Sequence, residues 1–319
     1  MNEISEESLK FLITSRLLDA SNSSVEGSYF SNRVLIPDND NIIAKNPESI
    51  IVKENTINLV HEKESYNKKV EKIWNEFKKT EKGKYAFSGP IIIVTEYKIN
   101  VEGRNEIQLS LGLKSYADFW ATYSPEFSAN EKNRTYSLGT SSIVKSADDS
   151  FIFGVRSKNI SSAGGKYEPI GGFLDISKLI NKDEDKIIRN SMKDGCYVKK
   201  ILSNFRFYAA GFRVISDLEN NIQDAFLTEK YEELGISSPD IKNVSYLAFT
   251  RMDLYQNFNI YMVVESNLES GKILEKNTTK GDGELKAFSV PISKMDEFVK
   301  NNKQDITPTL KSILKAYYT

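Results

Sequence analysis

The sequence predicts an α+β fold, a mixed β-sheet carrying helices, and not a parallel βαβ array. Two observations predict it. Short apolar runs bounded by turn signals recur along the chain, as strands require. Other stretches carry apolar residues at 3–4 spacing, as half-buried helices require. With 319 residues, 39% hydrophobic and 27% charged, the chain can bury the core of one large domain or two ordinary ones.

Residues 1–20 read as a helix with Leu9, Phe11, Leu12, Leu17 and Leu18 on its apolar side. Between 28 and 60, Val34–Ile36 and Ile50–Val52 read as short strands. Residues 64–80 predict a polar helix with Val70, Ile73, Trp74 and Phe77 as its apolar stripe. Ile91–Tyr97 and Ile107–Leu113 read as strands joined by a hairpin turn at Glu102–Asn105. Ser115–Tyr123 is a short aromatic helix, expected to pack the first region onto the second through Tyr116, Phe119 and Trp120. The polar stretch Ser124–Arg134 reads as a linker. The expected division is an N-terminal α/β domain over 1–128 and a second domain over 129–319. Ser137–Val144 and Ser150–Val155 read as strands around the turn Ala147-Asp148-Asp149. Glycine pairs follow at Gly164-Gly165 and Gly171-Gly172, then a mixed stretch at 183–210. Asn221–Leu234 predicts a helix stopped by Gly235 in the left-handed terminal conformation. Val244–Thr250, Phe258–Val264 and Ala287–Val290 read as strands. Ser293–Asn301 and Thr309–Tyr318 are the closing helices.

Composition excludes several function classes. Lys+Arg 43 against Asp+Glu 44 leave a net charge of -1, which points to neither nucleic acid nor an anionic membrane. No apolar run approaches the length of a membrane span, and the N-terminal residues lack the pattern of a signal peptide. Cys196 is the sole cysteine, which fits a reducing, cytoplasmic setting. Triplets such as Asn277-Thr278-Thr279 carry no weight as glycosylation sites in that setting. His61 is the sole histidine and reads as solvated, so multi-histidine zinc sites are excluded. Hard-metal chemistry with oxygen ligands remains open.

The segment Glu229-Lys230-Tyr231-Glu232-Glu233-Leu234-Gly235-Ile236 carries the chemistry. On a helix, Glu229, Glu232 and Glu233 fall within an arc of roughly 100°. Like charges so placed repel, and a divalent cation removes the repulsion by taking the carboxylates as ligands. The bland reading is a solvated acidic face. Ile222, Phe226 and Leu234 anchor the helix, and Pro169-Ile170-Gly171-Gly172 lies upstream, where paired glycines let backbone amides approach a ligand.

Together these residues resemble the Nudix hydrolase signature, G-x5-E-x7-R-E-U-x-E-E-x-G-U with U apolar. Glu229 takes the place of the Glu after Arg, Glu232-Glu233 that of the E-E pair, and Gly235-Ile236 that of the closing G-U. Gly172 corresponds to the opening glycine. Phe153–Arg156 resembles the strand ending in Arg that precedes the signature, and Glu284 the Glu before a late aromatic strand. Thr228 stands where the family has Arg, Lys230 occupies an apolar position, and an insertion near 176–216 interrupts the motif. The string Leu111-Gly112-Leu113-Lys114-Ser115-Tyr116-Ala117-Asp118-Phe119-Trp120-Ala121-Thr122 resembles the branch that hydrolyses UDP-glucose.

The resemblance implies a Nudix-type mixed sheet sandwiched between helices, with an N-terminal α/β extension. It implies Mg²⁺, with Mn²⁺ as a substitute, on Glu229, Glu232 and Glu233. Arg156, Gly171 and Gly172 are then substrate contacts, with Glu284 or a motif glutamate as base. The expected partner is a small nucleoside diphosphate compound, acted on by a monomer or homodimer. UDP-glucose would give UMP and glucose 1-phosphate. The alternative is a catalytically weak Nudix-fold module that binds a nucleotide or regulates a partner.

Overall fold

The computed structural model describes residues 41–60, 63–81, 83–84, 86, 88–99, 105–124, 135–156, 165–174, 176, 212–213, 233–252, 256–280 and 285–319. Outside them lie the expected helix over 1–20, the strand Val34–Ile36, His61, the linker core, most of the insertion, and Glu229, Glu232 and Glu284. The expected α+β class holds: a curled, half-barrel mixed sheet carries the helices.

Among the described residues the sheet has 12 strands. They are β1 (Asn41–Lys45), β2 (Ser49–Leu59), β3 (Pro90–Ile99), β4 (Glu106–Ser115), β5 (Ser137–Lys145) and β6 (Ser150–Arg156). The rest are β7 (Tyr167–Glu168), β8 (Ile170–Phe173), β9 (Phe212–Arg213), β10 (Ile241–Met252), β11 (Asn257–Ser266) and β12 (Leu285–Pro291). Their main order is β1-β10-β11-β5-β3-β4-β2-β9. The pairs β11·β5 and β2·β4 are parallel, and the others are antiparallel. Strands from before and after the polar stretch at 124–134 thus share one sheet, through β1·β10 and β3·β5.

Alternation explains the two sides of the strands. In β3, Ile92 and Val94 face the large interior core, while Ile91 and Ile93 face Phe119 outside it. The interior core is closed by Ile107, Leu109, Leu111 and Leu113 of β4 and by Phe249, Phe258 and Ile260 of β10 and β11. Tyr97, Phe249 and Phe258 meet there, with the two Phe rings stacked 5.4 Å apart.

Helix α1 (Glu64–Lys78) buries Val70, Ile73, Trp74 and Phe77, the stripe that its 3–4 spacing predicts. Helix α2 (Tyr116–Ala121) starts at Ser115, where Ser115 and Asp118 form a capping box. Trp120 of α2 stacks on Phe77 of α1 at 4.1 Å. Phe119 meets Phe173 of β8 edge-on at 5.5 Å. Buried Lys114 donates to the hydroxyls of Tyr66 and Thr135, each at 3.3 Å. Burial pushes the Tyr66 phenol above its ordinary pKa, against the nearby Lys114 charge.

Helix α3 (Ser270–Lys280), which sequence pattern did not predict, packs on β12 and β6. Its Ile273 joins Leu285 and Ala287 in the interior core. Helices α4 (Met295–Asn301) and α5 (Pro308–Tyr318) seal a second core with Ile143, Phe151, Phe153 and Tyr261. No helix among the described residues is long and apolar enough to cross a membrane.

Candidate functional site

One edge of β5 pairs with β11 along its whole length. The other edge is divided among three strands. Ser137 meets β3, Gly139–Ser142 meet β8, and Val144–Lys145 meet β6. The sheet therefore splays apart at β8, and Gly171 and Gly172 sit at that division.

Gly171 has φ 146, and a Cβ there would lie 2.1 Å from the Thr140 carbonyl oxygen. Only glycine permits this approach of β8 to β5. The strand pairing thus accounts for Gly171 without a ligand. Gly172 pairs with Thr140 and is exposed, as is Phe173 beyond it.

Glu233 and Leu234 have α-helical geometry, and Gly235 follows with φ 65. This is the left-handed helix stop expected at Gly235. Leu234 and Ile236 are buried in the interior core beside Leu174, Ile176 and Ile273. Glu233 is half-buried, with its Oε2 closed off from solvent.

Asn277 of α3 binds the end of this helix to β12. Its Nδ2 donates to the Glu233 carbonyl at 2.6 Å and to the Leu285 carbonyl at 3.2 Å. Its Oδ1 accepts from the Ala287 amide at 3.0 Å. Leu285 in turn stands opposite Arg156 at the end of β6. Glu233 and Leu285, the residue that follows Glu284, are therefore held by one buried asparagine, and Arg156 stands one strand away, opposite Leu285. The Arg156 side chain lies outside the described residues, as does all of Glu284.

The turn after Gly235 is held by a second contact from α3. Lys276 Nζ meets Asp240 Oδ2 at 2.9 Å, and Ser237 donates to the same oxygen from N at 2.7 Å and Oγ at 2.8 Å. Burial pushes the Asp240 carboxyl up, but Lys276 and Ser237 outweigh it and leave its pKa below the usual value. At the other end of α3, Asp148 accepts from Ser270 N at 2.9 Å and Ser270 Oγ at 2.7 Å. Hydrogen bonds from Ser146 and Ser270 hold the Asp148 carboxyl below its ordinary pKa.

Of the three carboxylates expected to share a cation, Glu233 alone lies among the described residues, where no group of three His, Cys, Asp or Glu side chains gathers. Glu233 itself offers a shielded carboxylate, the oxygen donor type that a hard cation takes. Sequence reading missed Asn277. An asparagine in a polar stretch carries no periodic signal, and its partners lie 44 and 8 residues away. No protein-family model and no curated protein matches the chain.

Proposed function

We propose that this protein is a Mg²⁺-dependent Nudix-type pyrophosphohydrolase acting on the diphosphate of a nucleoside diphosphate derivative. A UDP-sugar such as UDP-glucose is the substrate class, with UMP and glucose 1-phosphate as products. The observation that carries this reading is the joining at Asn277 of two separate segments that the motif singles out, with a third paired alongside. The end of the carboxylate helix and the strand after Glu284 meet at Asn277, and the strand ending in Arg156 pairs with the latter.

Glu229, Glu232 and Glu233 would hold the cation, which would supply charge neutralisation for the diphosphate and acidify a bound water. Arg156 forks two phosphate oxygens through its guanidinium. The exposed Gly172 and its neighbour Gly171 offer backbone contacts to a phosphate. Glu284 or one of the motif glutamates takes the proton from the attacking water. The aromatic helix and the N-terminal region close over the nucleotide or sugar. A reducing cytoplasmic setting suits the single cysteine.

Thr228 and Lys230 depart from the motif and favour a second reading, a module that binds the same ligand without cutting it. One experiment separates the two. A panel of nucleoside diphosphate compounds, UDP-glucose included, is incubated with Mg²⁺ or with EDTA, and phosphomonoester release is measured. Mg²⁺-dependent release that Glu233→Gln largely abolishes, with circular dichroism unchanged, supports the hydrolase. Binding without release supports the module. Release that survives EDTA, or is untouched in Glu233→Gln, rejects the metal assignment.

A further inference from the structure

We infer that Asn277 is a positioning residue: it fixes the backbone of Glu233 against β12 and thereby sets where the Glu233 carboxylate is presented to a divalent cation. This rests on the reading of Glu233 as a metal ligand and adds to it a residue that the motif does not contain.

Asn277 is 9% exposed, and each of its three side-chain contacts goes to the backbone of another element. The last carbonyls of a helix have no partner within it. The Glu233 carbonyl is one of these, and Asn277 supplies its donor. The same nitrogen holds the Leu285 carbonyl, so one atom ties the helix end to the strand. Only a planar amide serves here, because the site needs a donor toward two carbonyls and an acceptor toward an N–H on one flat group.

The post itself does not depend on those bonds. Helix α3 is anchored at its start by Asp148, at Lys276 by Asp240, and in the core by Ile273. A change at Asn277 therefore releases Glu233 and Leu285 while α3 keeps its seat. Groups that orient metal ligands from behind typically govern metal affinity or activity by about 10–100-fold. Asn277 acts through the ligand's backbone, and touches neither cation nor substrate.

The same contacts close Asn277 to glycosylation despite the Asn-Thr-Thr triplet. Its Nδ2 is committed to two carbonyls inside the protein.

The test is Mn²⁺ binding to the full chain, read from the paramagnetic resonance of the free ion. Asn277→Asp keeps the acceptor for the Ala287 amide but sets a carboxylate oxygen against the two carbonyls. Its Mn²⁺ dissociation constant should rise by about tenfold or more. Val299→Ala in α4 serves as the control for general loosening, because it lies in the opposite core. It should lower thermal stability and leave Mn²⁺ affinity unchanged. Glu233→Gln should lose tight binding. If Glu233→Gln loses binding while Asn277→Asp matches the wild type, the positioning role is overturned and the ligand reading stands. If Glu233→Gln binds as the wild type does, the ligand reading itself falls.

Should Asn277→Asp not fold, the wild-type protein decides. Coupling between two sites is reciprocal, so a clamp that favours the cation must be stabilised by it. Saturating Mg²⁺ should slow hydrogen exchange at the Ala287 amide in the wild type and not in Glu233→Gln. Equal exchange with and without Mg²⁺ in the wild type overturns the inference.

Discussion

Helix α1 packs against helix α2 and helix α3 against the sheet, and they are held in different ways. Helix α1 seats four apolar side chains at helical spacing, and Trp74 touches both Phe77 and Tyr116, with ring centroids 5.4 and 6.1 Å away. Helix α3 buries Ile273 and Asn277 and is otherwise pinned by polar clamps at Ser270, Lys276 and Asn277. Seating by an apolar stripe tolerates small shifts, because dispersion contacts are many and non-directional. Seating by hydrogen bonds is directional, and it sets the position of a neighbouring backbone to within a bond length. The stripe builds the fold. The clamps sit where the candidate chemistry converges.

That contrast can be broken in order of expected effect. Trp74→Ala removes the largest side chain of the α1 stripe and should cost about 3–5 kcal/mol, read as a lower midpoint in urea unfolding. A loss under about 1 kcal/mol, the cost of deleting a single buried methyl group, would mean that the stripe does not seat α1. Asp148→Ala removes the anion that receives the first amide of α3 and should cost about 1 kcal/mol near neutral pH. Because the folded Asp148 carboxyl titrates below its ordinary value, this contribution is complete above the unfolded carboxylate pKa of about 3.9. It fades as pH falls through the lower, folded value. Wild type and Asp148→Ala should thus differ in melting temperature at pH 7 and converge under strong acid. A difference that persists there would assign the effect to packing. Lys272→Ala, which removes an exposed pair with Glu275 on the same helix, should leave the melting temperature unchanged. A clear drop would show that surface charge, and not the clamps, holds α3.

Most of the strands were legible because period-2 and apolar-run patterns are local. Ile91–Tyr97, Ser150–Val155 and Phe258–Val264 fall within β3, β6 and β11. The stripe of α1 and the aromatic helix α2 were legible for the same reason. Helix α3 was not: Gly271, Asn277, Thr278 and Thr279 are weak helix formers, and its stability comes from partners such as Asp148, 122 residues distant. Nor was β8. Its Gly171-Gly172 reads locally as a turn, and the close approach to Thr140 that demands Gly171 exists only across the sheet. Pairings such as β1·β10 and β3·β5 are likewise invisible to any local window. At the candidate site, the helix stop at Gly235 was readable from one residue. The bracket made by Asn277 needed three elements in place.

The divided edge of β5 also constrains how the chain reaches its native state. Its parallel partner runs over Asn257–Glu265, more than a hundred positions downstream, while β8 and β6 arrive earlier. During synthesis β5 can zip to β6 and β8 at once, but its opposite edge waits for β11. A pairing so far apart in sequence raises contact order and slows folding. Until then a strand with Leu138, Ile143 and Val144 presents an open ladder, a template for pairing with other chains. The central strand of this protein waits on one side for a partner from the last quarter of the chain, and refolding yield should be sensitive to that wait.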